Sequence, residues 1–265
     1  MLGRDVVAAA RAADHDVTAL ARANLDVTDA ATTRAAIAAA APDAVVNCAA
    51  WTDVDGAEPA EDEATRVNGD GAGNVAAAGA FTVHVSSDYV FDGTATTPYV
   101  ESAATGPRSA YGRSKLAGER AVAAAAPGNH AIVRSSWLFG AHGPNFVATM
   151  LRLGAERDEV GVVDDQVGCP TWTGHLARAL VDIAERRPTG VLHVAGAGAC
   201  SWHELAVAAF AATRTDCAVN RMSTAELGRP APRPAYSVLE TERGDTPVLP
   251  HWRDGLAGYL ELVAA

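Results

Sequence analysis

Residues 82–88 read Thr82-Val83-His84-Val85-Ser86-Ser87-Asp88, and residues 111–115 read Tyr111-Gly112-Arg113-Ser114-Lys115. The first stretch is a short apolar strand, Thr82 to Ser86, that runs out into hydroxyl and carboxyl groups. The second opens a helix expected to end near Pro127-Gly128. Ala131 to Ser135 then reads as another strand. A strand, a helix and a second strand in succession make one crossover, and crossovers belong to parallel sheets covered by helices. This stretch therefore decides the fold class.

The flanking sequence repeats the alternation. Ala44 to Cys48 is a continuous apolar run of the kind buried on both faces of a sheet. Thr28-Asp29 caps a helix over 30–40. A helix loosened by glycines is expected from Glu61 to Gly79. Met1-Leu2-Gly3-Arg4-Asp5-Val6-Val7 opens a helix reaching about Ala13, and His15 to Leu20 is expected as a strand. Beyond Gly140 the pattern is less regular. Helices are expected near 145–155, 174–185, 202–212 and 252–263, with strands at 160–163 and 191–194. The expectation is an α/β, doubly wound, mainly parallel sheet over residues 1–140. Residues 141–265 form a smaller substrate lobe, some of whose elements return to the first domain.

Bulk properties exclude several classes. The 265 residues are 49% hydrophobic and 20% charged, ordinary values for a globular protein. A net charge of −11 argues against nucleic acid or an anionic membrane as the main partner, while leaving room for a small anion held by local arginines. Cys48, Cys169, Cys200 and Cys217 are widely spaced, with no zinc pattern, and suggest reduced thiols in a cytoplasmic protein. No run is long enough for a membrane span and no signal peptide is evident. Asp53, Asp55 and Glu58 read as a helix start, so no metal is expected.

The chemistry sits on Tyr111 and Lys115. Residues i and i+4 share a helix face, and an ammonium beside a phenol favours the phenolate, lowering a pKa that is ordinarily about 10. With a strand-end hydroxyl to hold a substrate oxygen, the pair is suited to protonating an alkoxide. Two residues on a solvated helix would be the plain alternative. Against it, Lys115 is the only lysine among 21 basic residues, as if this position requires an amine where guanidinium does poorly. In parallel sheets ligands bind beyond the carboxyl ends of the strands. Asp26, Ala49-Ala50, Ser86-Ser87 and Ser135-Ser136-Trp137 all follow predicted strands, which gathers them at one edge.

Several segments together resemble a known family. They are Asn47 to Asp55, Ser86 to Gly93, Tyr111 to Glu119, Arg134 to Gly140, Asn145-Phe146-Val147, Asp165 to Thr171 and Arg233 to Leu239. In this order they resemble the sugar-nucleotide branch of the short-chain dehydrogenase/reductase superfamily, and within it the dTDP-4-dehydrorhamnose reductase family. The resemblance implies a Rossmann-type fold, with residues 1–140 binding NAD(P). It implies reduction of the 4-keto group of a dTDP-deoxyhexulose to dTDP-L-rhamnose by NADPH or NADH. Tyr111 would protonate the alkoxide, Lys115 would bind the nicotinamide ribose and depress the phenol pKa, and Ser87 would bond the keto oxygen. Asp88 and Trp137 match substrate contacts. Asp26-Val27 match the adenine contact, and Ala50-Trp51-Thr52 and Val85 line the dinucleotide.

The resemblance breaks at the front. A Rossmann unit needs a buried first strand and a glycine-rich turn whose amides hold pyrophosphate. Met1-Leu2-Gly3 resembles only the last part of that turn, so the chain is expected to be a shortened form of a longer reductase. Ala21-Arg22 stands where NAD-preferring relatives carry an acid. Arg22 is either a 2′-phosphate contact, favouring NADPH, or a surface arginine. Arg229 and Arg233 either hold the substrate pyrophosphate or belong to a solvated loop. His84, His175 and His193 are expected to be structural. Two rival functions follow from the same branch: a non-catalytic regulatory subunit of the methionine adenosyltransferase type, and an epimerase or dehydratase. The partners expected are a nucleotide-sugar and, as an assembly to test, a second copy in a homodimer.

Overall fold

In the computed structural model, which describes residues 1–264, helices α1 (Leu2–Ala12) and α2 (Ala30–Ala40) precede strand β1 (Ala44–Asn47). A broken helical run follows: α3 (Val54–Ala57), α4 (Glu61–Thr65), a π-helical turn over Arg66–Asp70, and α5 (Gly71–Ala76). Next come β2 (Phe81–Ser87), α6 (Ala110–Ala125), β3 (His130–Ser135), β4 (Leu138–Phe139), α7 (Phe146–Glu156) and β5 (Glu159–Val163). Short strands β6 (Val167–Gly168) and β7 (Thr171–Trp172) lead into α8 (Thr173–Arg186) and β8 (Gly190–His193). The remaining elements are β9 (Cys200–Ser201), α9 (Trp202–Thr213), β10 (Ala218–Met222), α10 (Thr224–Leu227) and α11 (Trp252–Ala264).

The central sheet has the order β1-β2-β3-β8, and every pair in it is parallel. Successive side chains point to opposite faces. Phe81, Val83, Ala131, Val133 and Leu192 pack with Leu176, Leu180 and Ile183 of α8 and with Leu2 and Val6 of α1. Ile132, between two of these, faces the other way onto Ala72, Ala76, Val122 and Ala126 of α5 and α6. Both faces are therefore covered, and all four strands end at the same edge. The two later elements α8 and β8 belong to this first body, which is why the core continues past Gly140. A second core joins α7, β5, α9 and β10 through Met150, Val160, Val162, Ala206 and Phe210.

Two expectations need correcting. Residues 15–20 form no strand. A strand exists only by pairing, and the outer edge of β1 carries no strand among the described residues, so this segment has no ladder to join. The single helix expected over 61–79 is broken by the π-helical turn and ends at Ala76. Its glycines serve close approach: a Cβ on Gly69 or Gly73 would meet Ala117 or Ala121 of α6 at 3.4 and 3.1 Å.

Candidate active site

α6 is capped by Ser109, whose hydroxyl accepts the Gly112 amide at 3.1 Å and satisfies one of the free donors of the first turn. That cap sets Tyr111 in the first turn and Lys115 one turn later, over the exit of β2. Lys115 is 2% exposed, and its Nζ donates to the Val85 carbonyl at 2.7 Å. Burial pulls it down to about 8, with the nearby Glu119 carboxylate acting in the opposite direction. Part of the Tyr111 ring reaches the surface, but burial around its hydroxyl pushes the phenol up to about 12. Ser87 lowers it in part and Asp88 raises it.

The expected acidification of Tyr111 by Lys115 is thus not found: Lys115 is not among the groups that move the phenol. The physical reason is that desolvation of the phenol dominates while the amine is engaged by the strand carbonyl. Tyr111 is held instead by packing. Its ring meets Tyr89 edge-on at 5.4 Å and sits with Trp51 beside Ala57, Ala64 and Ala110.

At the end of β2, the Ser87 hydroxyl donates to Asp88 Oδ1 at 2.9 Å and accepts the Tyr89 amide at 3.1 Å. Asp88 is 2% exposed, and burial pushes its carboxyl up to about 6. Its Oδ2 and the nearby Ser237 hydroxyl face each other without a well-formed bond, so both stay unpaired. Unpaired buried polar atoms are rare and mark a place where an outside group can be received.

The loop after β1 is tied to the catalytic helix by Asn68, which lies in the π-helical turn. Asn68 Oδ1 accepts the Trp51 amide at 2.8 Å, and its Nδ2 donates to Trp51 O at 3.1 Å and to Ser114 Oγ at 2.8 Å. Ser114 in turn donates to the Tyr111 carbonyl at 2.7 Å. Asn68 was not singled out from the sequence; a lone asparagine inside a glycine-rich helix carries no signal of its own. Ala50 and Trp51 are half-buried along this loop and Thr52 is exposed.

Trp137, at the exit of β3, has a φ of 50° and stacks on Trp202 at 3.5 Å with an interplanar angle of 3°. Trp202 is fixed by Gln166, whose Oε1 accepts its indole N–H at 3.1 Å. Gly168 leaves room for the Trp137 ring, since a Cβ there would sit 2.5 Å from it.

Met1, Leu2 and Gly3 form the start of α1 beside the exit of β1: a Cβ on Gly3 would lie 3.7 Å from Cys48. Asp26 does not follow a strand, contrary to expectation. It is an exposed turn residue whose carboxylate accepts the Thr28 amide at 3.0 Å and the Thr28 hydroxyl at 2.8 Å. Val27 is brought against α5, where Asn74 Nδ2 donates to its carbonyl at 3.0 Å.

The structure thus gathers Ala50, Trp51, Val85, Ser87, Asp88, Tyr111 and Lys115 around the ends of β1 and β2. Arg233 turns away from the solvated-loop reading: it makes a two-armed pair with Asp55 at 2.8 and 2.9 Å. Asp55 therefore belongs to that latch, while Asp53 alone caps α3. His84 and His193 are buried and held neutral by desolvation. A separate apolar groove of about 810 Å³ between α1, α8 and α11 shares no residue with this constellation.

Comparison with known proteins agrees with the geometry. The family described as RmlD substrate binding domain matches residues 1–264. The chain is 46% identical to the dTDP-4-dehydrorhamnose reductase of Streptomyces griseus over 270 residues, covering 97% of this chain and 88% of that one. It is 43% identical to the dTDP-4-keto-6-deoxy-D-glucose reductase of Streptomyces niveus, covering 100% and 95% of the two chains. Among solved structures, the dTDP-4-dehydrorhamnose reductase of Bacillus anthracis in complex with NADP superposes with a TM-score of 0.95 at 35% identity, covering 98% and 95%.

Proposed function

The chain belongs to the RmlD substrate binding domain family, and on that footing we propose that it reduces the 4-keto group of a dTDP-linked 6-deoxyhexulose, with NADPH as reductant and dTDP-L-rhamnose as product. The observation that carries this reading is the meeting of Ser87, Tyr111 and Lys115 at the carboxyl edge of a parallel sheet. Relatives named as reductases of dTDP-4-keto sugars support the substrate class.

The residues present fit the cofactor. No side chain caps α1; the Arg4 amide donates to the Met1 carbonyl at 3.1 Å, and the Leu2 and Gly3 amides are left for an anion. Met1, Leu2 and Gly3 would meet the pyrophosphate there. Ala50, Trp51, Thr52 and Val85 would line the dinucleotide, Asp26-Val27 its adenine, and Arg22 a 2′-phosphate. NADPH supplies the hydride when bound.

Everything else falls to this chain's own groups. Tyr111 keeps its proton across the working pH range and gives it to the oxygen that becomes an alkoxide. Ser87 turns its hydroxyl from Asp88 to that oxygen. Lys115 presents an ammonium whose charge favours the departing phenolate. Asp88 and Trp137 orient the sugar, Asp88 through an oxygen that is otherwise unpaired. The same reading divides the chain into a cofactor-binding body over residues 1–140 and a sugar-binding lobe over 141–265 that lends α8 and β8 to the first. It places the enzyme in the cytoplasm, and a homodimer is the assembly to look for.

Tyr111→Phe tests it. Loss of the proton donor should lower kcat by about 10²–10⁴ while leaving substrate KM near its original value. NADPH oxidation against a panel of dTDP-4-keto-6-deoxyhexoses is the readout. Unchanged turnover in the variant would remove Tyr111 from the mechanism.

A further inference from the structure

Tyr111, Lys115 and Glu119 stand four residues apart on α6 and so form one row along a helix face. That row meets β2 at consecutive residues. Lys115 Nζ is bonded to the Val85 carbonyl at 2.7 Å, and the neighbouring Ser86 hydroxyl donates to Glu119 Oε1 at 2.6 Å. The Glu119 carboxylate accepts two more bonds, from Arg134 Nε at 2.8 Å and from its second terminal nitrogen at 2.7 Å. Arg134 lies on β3 in register with Ser86. Its remaining nitrogen lies 3.4 Å from His193 Nε2, and its guanidinium covers the Phe91 ring at 5.0 Å.

Glu119, Arg134 and Ser86 are 5%, 4% and 5% exposed. A buried ion pair is a poor way to hold a helix on a sheet, because well-packed apolar residues of the same volume generally do so equally well or better. The placement of the charges calls for another reason, and the next group along the row is Lys115.

We propose that Glu119 is a positioning residue for the Lys115–Tyr111 pair: anchored by Ser86 and Arg134 one turn beyond the amine, its negative charge keeps Lys115 in the ammonium form, seated on the Val85 carbonyl. The proposal rests on reading that pair as the proton-donating machinery.

The groups around Lys115 leave this role to Glu119. Cys48, from the exit of β1, is a neutral thiol, pushed up to about 12 by burial. His84 of β2 is held neutral by desolvation and Tyr111 is a neutral phenol. Arg134 places a positive charge behind Glu119. Among the described residues, Glu119 is thus the anion that opposes the desolvation of Lys115.

The test exploits the single lysine. Incorporating isotope-labelled lysine yields one side-chain NMR signal, whose pH titration reads Lys115 directly in the protein without ligands. The wild-type midpoint is expected near 8. Glu119→Gln leaves Arg134 uncompensated and should lower the midpoint by about one pH unit or more. Arg134→Met leaves Glu119 uncompensated and should raise it.

The opposite signs are the signature. A purely structural pair would, when broken, open the site and move both midpoints upward toward the free-lysine value of about 10.4. That result, or no shift in either variant, would overturn the proposal. Should a single variant fail to fold, the double variant Glu119→Gln/Arg134→Met carries no unpaired buried charge. Its midpoint should fall below wild type, and a midpoint at or above wild type would equally overturn the proposal. The titration requires no turnover, so its failure would leave the reductase reading standing. An inactive wild-type chain, conversely, would leave the titration unaltered.

Discussion

At the scale of single residues, the site is shaped by desolvation more than by attraction between charges. Tyr111 is pushed up, Lys115 down and Asp88 up, each toward its neutral form. Asp88 lends itself to a stability measurement. Its carboxyl titrates near 6 in the folded chain and near the ordinary 3.8 when unfolded. Between those values the folded state holds a proton that the unfolded state has lost. Stability from this group is therefore full below about 4 and declines as pH rises to about 6, then stays flat. Asp88→Asn removes the penalty. The variant should be more stable than wild type by on the order of 2–3 kcal/mol at pH 7.5 and nearly equal to it at pH 3.5. Urea unfolding at the two pH values checks this, and an offset of equal size at both would show that the carboxyl does not titrate as described.

At the scale of elements, α6 is the part on which one face of the central sheet and the site both depend, and its glycines show how closely it is seated. Gly118 faces the backbone carbonyl of Asn68, so that an added Cβ would press on that oxygen. In an exposed helix, Gly→Ala gains about 1 kcal/mol. Gly118→Ala should reverse that sign and cost about 1–3 kcal/mol, because the π-helical turn must move away. The displacement would also disturb the Asn68 bonds to Trp51 and Ser114. Thermal unfolding supplies the number; a stabilised variant would mean that the turn yields freely. The spacing of Tyr111 and Lys115 was legible in the sequence because four residues is one helical turn wherever the helix lies. Asn68 was not, because its role depends on a carbonyl, an amide and a hydroxyl contributed by two other elements.

At the scale of the whole molecule, the two halves of the chain are joined by the Asp55–Arg233 latch. It ties α3 to the segment 229–236, and Ala231 adds its amide to the same carboxylate at 3.1 Å. Both side chains are mostly covered, at 21% and 16% exposed, so the pair is screened less than a surface bridge. Asp55→Ala leaves Arg233 without its partner. Amide exchange across 229–236 should then speed up by about tenfold, corresponding to about 1.4 kcal/mol of local stability, with β2 and β3 unchanged. Uniform protection in both chains would mean that the segment is held by other contacts. The latch also removes one of the two readings the sequence left open for Arg233, that of a solvated loop residue.

The sequence by itself determined the class of fold, the parallel crossover over 82–135 and the placement of Tyr111 and Lys115 one turn apart on α6. These are local facts: alternation of apolar runs, and one turn of helix between a phenol and the chain's single lysine. It misjudged residues 15–20, because strandness is a property of a pair and, among the described residues, no strand lies along the outer edge of β1 to complete it. It also misjudged the acidity of Tyr111. That is decided by how much water the folded chain removes from the phenol and by where the Lys115 amine finds its carbonyl. Only the tertiary structure could decide either point, since burial and hydrogen-bond partners come from elements far apart in the chain.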